Sequence, residues 1–147
     1  VPNSGRAKPL CPALTPLALE AFLSQHERSH QYWLGLSGGL DSTVLAHLAS
    51  LAQAQGSAYR FKLVHVHHGL HPNADQWVEY CHHLALSFKL ELRILNVSAH
   101  PKPGESPEAA ARKARYEALS HIMKTGDSLL TAHHQDDQTE TLLLQLL

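Results

Sequence analysis

Ser37-Gly38-Gly39-Leu40-Asp41-Ser42 stands directly after a short apolar run, residues 32–36, and directly before a stretch in which Val44, Leu45, Leu48, Leu51 and Ala52 recur with helical period. A buried strand that feeds a glycine turn and then a helix leaves few folds open. The turn's backbone N–H groups point outward, the helix dipole favours negative charge, and the glycines let a ligand approach the main chain. This is how an α/β sheet binds phosphate. It is not a Walker A loop, which needs a lysine that the segment lacks.

The rest of the chain repeats the alternation. Thr15 and Pro16 open a first helix expected to run to about His26, as N-cap and first helical residue. Strands are expected at residues 32–36, 61–68, 91–97 and 128–132. Between them, helices are expected from the hexamer to Gly56, from Asn73 to Phe88 with Trp77, Val78, Cys81, Leu84 and Ala85 on one side, and after Ser106-Pro107. A last helix is expected from near Gln135 through the leucine run of residues 141–147. Strands alternating with helices predict right-handed crossovers, hence an α/β fold: an open, mostly parallel, Rossmann-like sheet with helices on both faces.

At 147 residues the chain suits one domain. Residues 1–14, with Pro2, Pro9 and Pro12, are expected to form a flexible leader, and 15–147 the domain. Met123 is the sole methionine and the leucine run has no stop signal, so a fragment is expected. Twelve Lys+Arg against thirteen Asp+Glu give a net charge of −1, which argues against gripping nucleic acid by bulk positive charge. Cys11 and Cys81 form no C-x-x-C pair, so a zinc ribbon or a redox centre is unsupported and a reducing, cytoplasmic setting is expected. No apolar run is long enough for a membrane span, and no membrane partner is expected.

Asp41 is the informative residue of the hexamer. A carboxylate beside a phosphate is repulsive unless a divalent cation stands between them, so Asp41 points to Mg²⁺; the plainer alternative is a helix-capping acid. Ser37 and Ser42 add candidate hydroxyl donors. Around the helix expected after Ser106-Pro107, at about 100° per residue, Arg112 and Arg115 share the apolar, inward face of Tyr116, Leu119 and Met123. Desolvated guanidinium groups need a partner, either buried carboxylates or a bound phosphate. Asp137 and Glu140 point largely away from the leucine stripe, one turn apart, just past a strand end where an open sheet binds ligands. They suit a divalent metal, the arginines or substrate groups, although first-turn acids also complement a helix dipole.

Thirteen histidines are the compositional oddity, four of them between His65 and His71. On a strand His65 and His67 face one side and His68 the other. The spacing matches no standard zinc pattern. His26, His30, His47, His82, His83, His100 and His121 are expected at the surface, and His133 at the site.

The hexamer, residues 64–70 (Val-His-Val-His-His-Gly-Leu), residues 110–116 (Ala-Ala-Arg-Lys-Ala-Arg-Tyr) and residues 132–141 (Ala-His-His-Gln-Asp-Asp-Gln-Thr-Glu-Thr) occur in one order. Together they resemble the PP-loop ATP pyrophosphatase superfamily and, within it, the N-terminal catalytic domain of the tRNA(Ile)-lysidine synthetase family. The resemblance covers about Tyr32 to Leu147. It implies a ligase that uses ATP to adenylate C2 of cytidine 34 in the CAU anticodon of tRNA(Ile), after which free L-lysine displaces AMP to give lysidine.

By that resemblance the cofactors are ATP and Mg²⁺, and Ser37, Gly38, Gly39, Leu40, Asp41, Ser42, His68, Arg115 and His133 hold the nucleotide. Asp41, Asp137, Glu140 and Arg112 are the candidate catalytic residues, with Asp41 and Asp137 as Mg²⁺ ligands. The family's C-terminal tRNA-binding domains are expected to be absent here, and a homodimer is compatible with the family. Two competing functions are another PP-loop enzyme, such as a tRNA thiolation enzyme, and a nucleotide-binding module without chemistry. The missing cysteine pair counts against the first and the three carboxylates against the second.

Overall fold

The computed structural model describes residues 14–69 and 72–132, and the backbone of 144–145. Its elements are α1 (Pro16–Ser24), β1 (Tyr32–Gly35), α2 (Leu40–Ala54), β2 (Phe61–His67), α3 (Ala74–Phe88), β3 (Leu92–Asn96), α4 (Pro107–Ile122), β4 (Ser128–Leu130) and β5 (Leu144–Gln145). The expected elements through β4 are all present, shortened at their ends by a residue or two. Thr15 accepts from the Ala18 N–H at 3.1 Å and Ser106 from the Ala109 N–H at 3.1 Å, so both expected caps form. Nearly all of the expected leader, including Cys11, lies outside the described residues.

Sheet order is β3-β2-β1-β4-β5. β1 pairs parallel with β2 and with β4, and β2 parallel with β3. The chain therefore winds from β1 outward to β3, then returns across β1 to place β4 on its other side. Strand alternation sorts the core. Tyr32, Leu34, Leu36 and Leu63 pack with Leu19, Leu23, Ala46, Ala49, Cys81 and Ala85 under α1, α2 and α3. Trp33, Val64 and Leu129 meet Leu119 of α4 and Met123, just past its end, on the opposite face.

One expectation fails at the end of the chain. Leu144–Gln145 is not helical but pairs antiparallel with β4, Leu144 opposite Leu129. A leucine run suits a sheet as well as a helix stripe, and the outer edge of β4 presents unpaired backbone groups to it. Among the described residues, no helix is long and apolar enough to cross a membrane.

The turn from α4 into β4 is pinned from beneath the sheet. Asp127, buried, accepts from the Trp33 indole at 3.2 Å and from the Lys124 N–H at 3.0 Å. Gly126 has φ +90°, and a Cβ there would lie 2.9 Å from His30 Nδ1. Gly126→Ala should cost about 1–2 kcal/mol through that left-handed backbone and contact. Urea denaturation checks it; a loss below about 0.5 kcal/mol, the scale of an ordinary surface change, would contradict it.

Candidate active site

β1 ends between two neighbours whose connections leave in opposite directions, the place where an open parallel sheet forms a crevice beyond its strand ends. A cavity of about 420 Å³ lies there, within the usual range for small-ligand sites. Its walls include Gly35, Leu36, Ser37 and Ser42 from the β1–α2 turn. His65, His67 and His68 come from β2 and its end, Trp77 from α3, Arg115 from α4, and Thr131 and Ala132 from the end of β4.

The turn is held by its own polar groups. Ser37 Oγ accepts from the Gly39 N–H at 3.3 Å, and Ser42 Oγ donates to the Gly39 carbonyl at 3.1 Å. The proton between the two hydroxyls, 3.0 Å apart, therefore comes from Ser37. The Ser37 N–H donates to Ser42 Oγ at 3.1 Å. Both hydroxyl protons are thus engaged within the loop, so the serines, expected as phosphate donors, set its shape and leave anion binding to backbone N–H groups.

Gly38 has φ +86°, a conformation in which glycine carries no steric penalty, with the Tyr80 ring 3.7 Å from where a Cβ would sit. Unlike α1 and α4, α2 begins at Gly39 without a side-chain cap, leaving its first-turn N–H groups to an anion. Asp41 is half-buried in that first turn, and the Leu40 side chain is exposed.

The histidines divide as strand alternation predicts. His65 and His67 turn toward α3. His65, 6% exposed, approaches the Leu36 carbonyl at 2.6 Å and Cys81 Sγ at 3.6 Å, and His67 Nε2 meets Asp75 Oδ1 at 3.1 Å. His68 turns the other way, toward Arg115. Burial and then the Arg115 charge hold its pKa below the ordinary value of 6.5. Its Nδ1 is buried with no hydrogen-bond partner, which suits a contact to a bound ligand. Burial also lowers the His65 pKa, and it raises that of the Cys81 thiol to about 11, so the thiol stays protonated and inert. Among the described residues, no three His, Cys, Asp or Glu converge to hold a metal ion. His26, His30, His47, His82, His83, His100 and His121 are all exposed.

Two expectations need correction. Arg112 and Arg115 share a face of α4, but both are exposed rather than desolvated. The face that covers the core at Leu119 and Met123 runs on past the sheet at its N-terminal end, where Arg115 borders the cavity and Arg112 lies 5.6 Å from the Tyr116 ring centroid. Trp77, expected on the apolar side of α3, is 46% exposed at the cavity rim, because that helix also reaches past the strand ends. The alternation of polar and apolar residues cannot distinguish a core from a cavity wall. His133, Asp137 and Glu140 lie outside the described residues.

A parallel sheet with a glycine turn at its crossover reversal and an uncapped helix behind it defines a nucleotide-binding α/β domain. Residues 15–147 match the PP-loop domain family, and the chain belongs to it. It is similar to proteins named tRNA(Ile)-lysidine synthase. The one from Alkalilimnicola ehrlichii is 47% identical over 137 residues, 92% of this chain and 30% of the relative. That from Shewanella woodyi is 50% identical over 113 residues, 77% of this chain and 24% of the relative. That from Methylococcus capsulatus is 44% identical over 131 residues, 89% and 30% respectively. The chain thus spans less than a third of the length of these relatives.

The lowered pKa of His65 and His68 fixes the sign of a pH effect. Below about 6.5 the unfolded chain binds protons that these folded rings refuse, so stability present above that value is lost as pH falls toward their folded pKa values. Unfolding free energy should drop between pH 7 and 5.5, and less steeply in His65→Asn. Equal slopes for the two proteins would remove His65 as a source.

Proposed function

We propose that this chain is the ATP-binding catalytic part of a tRNA(Ile)-lysidine synthetase acting in the cytoplasm. The observation that carries the reading is the glycine turn held open at the sheet's crossover reversal, with the Asp41 carboxylate beside an uncapped helix N-terminus. Resemblance in four ordered motifs and the names of the relatives supply the substrate. The cavity suits a nucleotide in size, and the unpartnered His68 Nδ1 and the Arg115 guanidinium offer it polar contacts.

Mg²⁺ is commonly held by one or two carboxylates together with substrate phosphates. The donors here fit that pattern: Asp41 at the phosphate turn, with Asp137 as a second candidate. When bound, Mg²⁺ would neutralise polyphosphate charge and favour departure of pyrophosphate.

The chain's own groups then have separable tasks. Backbone N–H groups at residues 38 and 40–42 hold the terminal phosphates, where charge grows as pyrophosphate leaves, while the Gly39 N–H stays on Ser37 Oγ. The C2 oxygen of cytidine 34 attacks the α-phosphorus, and the P–O bond to pyrophosphate breaks. Arg112 and Arg115 contact phosphate or the anticodon, and His133 the nucleotide. Asp137 and Glu140 position Mg²⁺ or the lysine side chain. The unprotonated lysine amine attacks C2, AMP leaves with the former C2 oxygen, and the amine releases its proton.

The test is ATP-dependent incorporation of labelled lysine into a tRNA(Ile) with a CAU anticodon, using the protein at its natural length. Incorporation should fall about 100-fold or more in Asp41→Ala, the scale for losing a group that stabilises transition-state charge. ATP cleavage to AMP and pyrophosphate without lysine incorporation would discard lysidine as the product while keeping the adenylation chemistry.

A further inference from the structure

The peptide unit joining Leu36 to Ser37 is where β1 leaves the sheet and becomes the phosphate turn. The Leu36 N–H still makes a ladder bond, donating to the Val64 carbonyl at 2.8 Å. The next contact is not a ladder bond between main chains: the Leu36 carbonyl meets His65 Nδ1 at 2.6 Å. A carbonyl only accepts, so Nδ1 carries the proton and donates. On the far side of the same peptide plane, the Ser37 N–H donates to Ser42 Oγ at 3.1 Å. One peptide is thus clamped at both ends, its oxygen by a side chain from β2 and its N–H by a side chain from α2.

The ring is itself fixed. His65 is buried, and Cys81 Sγ of α3 lies 3.6 Å from the same nitrogen. A neutral ring suits this place, since burial disfavours its charged form. Rotation of the 36–37 peptide would break both clamps. It would also redirect the N–H groups of the turn that follows, because Gly38 and Gly39 offer little steric resistance to a change of backbone angles.

We propose that His65 is a positioning residue for the nucleotide: through Nδ1–H it locks the Leu36–Ser37 peptide so that the turn's N–H groups face the ATP phosphates. His65 touches no phosphate itself. This role rests on the ATP-binding reading of the cavity but not on lysidine as the product.

Asparagine places its amide nitrogen the same number of bonds from Cα as imidazole Nδ1, whereas glutamine matches Nε2. With the protein at its natural length, ATP–Mg²⁺ affinity should weaken about tenfold or more in His65→Leu and His65→Gln, since each leaves a buried carbonyl unpaired. His65→Asn should restore affinity to within about threefold, with KM for lysine unchanged in all three variants. Circular dichroism and thermal melting show which variants are folded. In the unaltered protein, ¹⁵N shifts of His65 should report the Nδ1–H tautomer between pH 6 and 8, a readout that needs no variant.

Equal ATP affinity in folded His65→Leu and His65→Asn, or an Nε2–H tautomer, would overturn the role. A natural-length protein that binds no ATP would overturn it together with the reading beneath it. ATP binding that follows the Asn-versus-Leu pattern without lysine incorporation would support the role and remove only the product.

Discussion

β1 is buried on both faces and is the strand on which the winding of the sheet reverses. Its neighbours β2 and β4 take its ladder bonds, but the chain reaches them by crossovers on opposite faces, so neither crossover lies over the end of β1. The cavity at that end is a geometric remainder of the winding. The β1–α2 turn, the end of β2, the rim of α3 and the overhang of α4 meet there because each connects strands around the same reversal.

That explains why the fold was largely legible and the site only partly so. Periodicity and caps located eight elements because local rules and tertiary packing agree there, as at Thr15-Pro16 and Ser106-Pro107. The hexamer located the turn because few other sequences suit a left-handed residue between a buried strand and an amphipathic helix. Periodicity also put Arg112 and Arg115 on the face shared with Leu119, but a helical wheel has no axial coordinate to show where the sheet beneath it ends. The same blindness grouped Trp77 with Cys81 and Ala85 on one side of its helix without showing that it stands at the cavity rim. The helix expectation fails at Leu144–Gln145 for another reason: leucines alone favour neither period, and the free edge of β4 decided for a strand there.

His65 was not recognisable as more than one of a cluster. Its bond to Leu36 spans 29 positions and depends on β2 being in register with the departing end of β1. A buried polar side chain in a strand of Val and Leu was the available signal, since such a group needs a partner. Electrostatically the β2 histidines supply polar atoms to the cavity more than charge. His65 and His68 are shifted toward neutrality, and among the described residues lining the cavity the lasting positive charge is that of Arg115.

The ring of hydrogen bonds among Ser37, Gly39 and Ser42 bears on how a polyphosphate is received. A loop whose hydroxyls waited for the ligand would have to order its backbone on each encounter, spending part of the interaction on lost freedom. Here the two serines have already spent their protons on the loop, and the main-chain donors stand preorganised. The consequence is selectivity by shape. The arrangement rewards a tetrahedral anion that fits a fixed array of N–H vectors and offers little to an anion that would require the array to move.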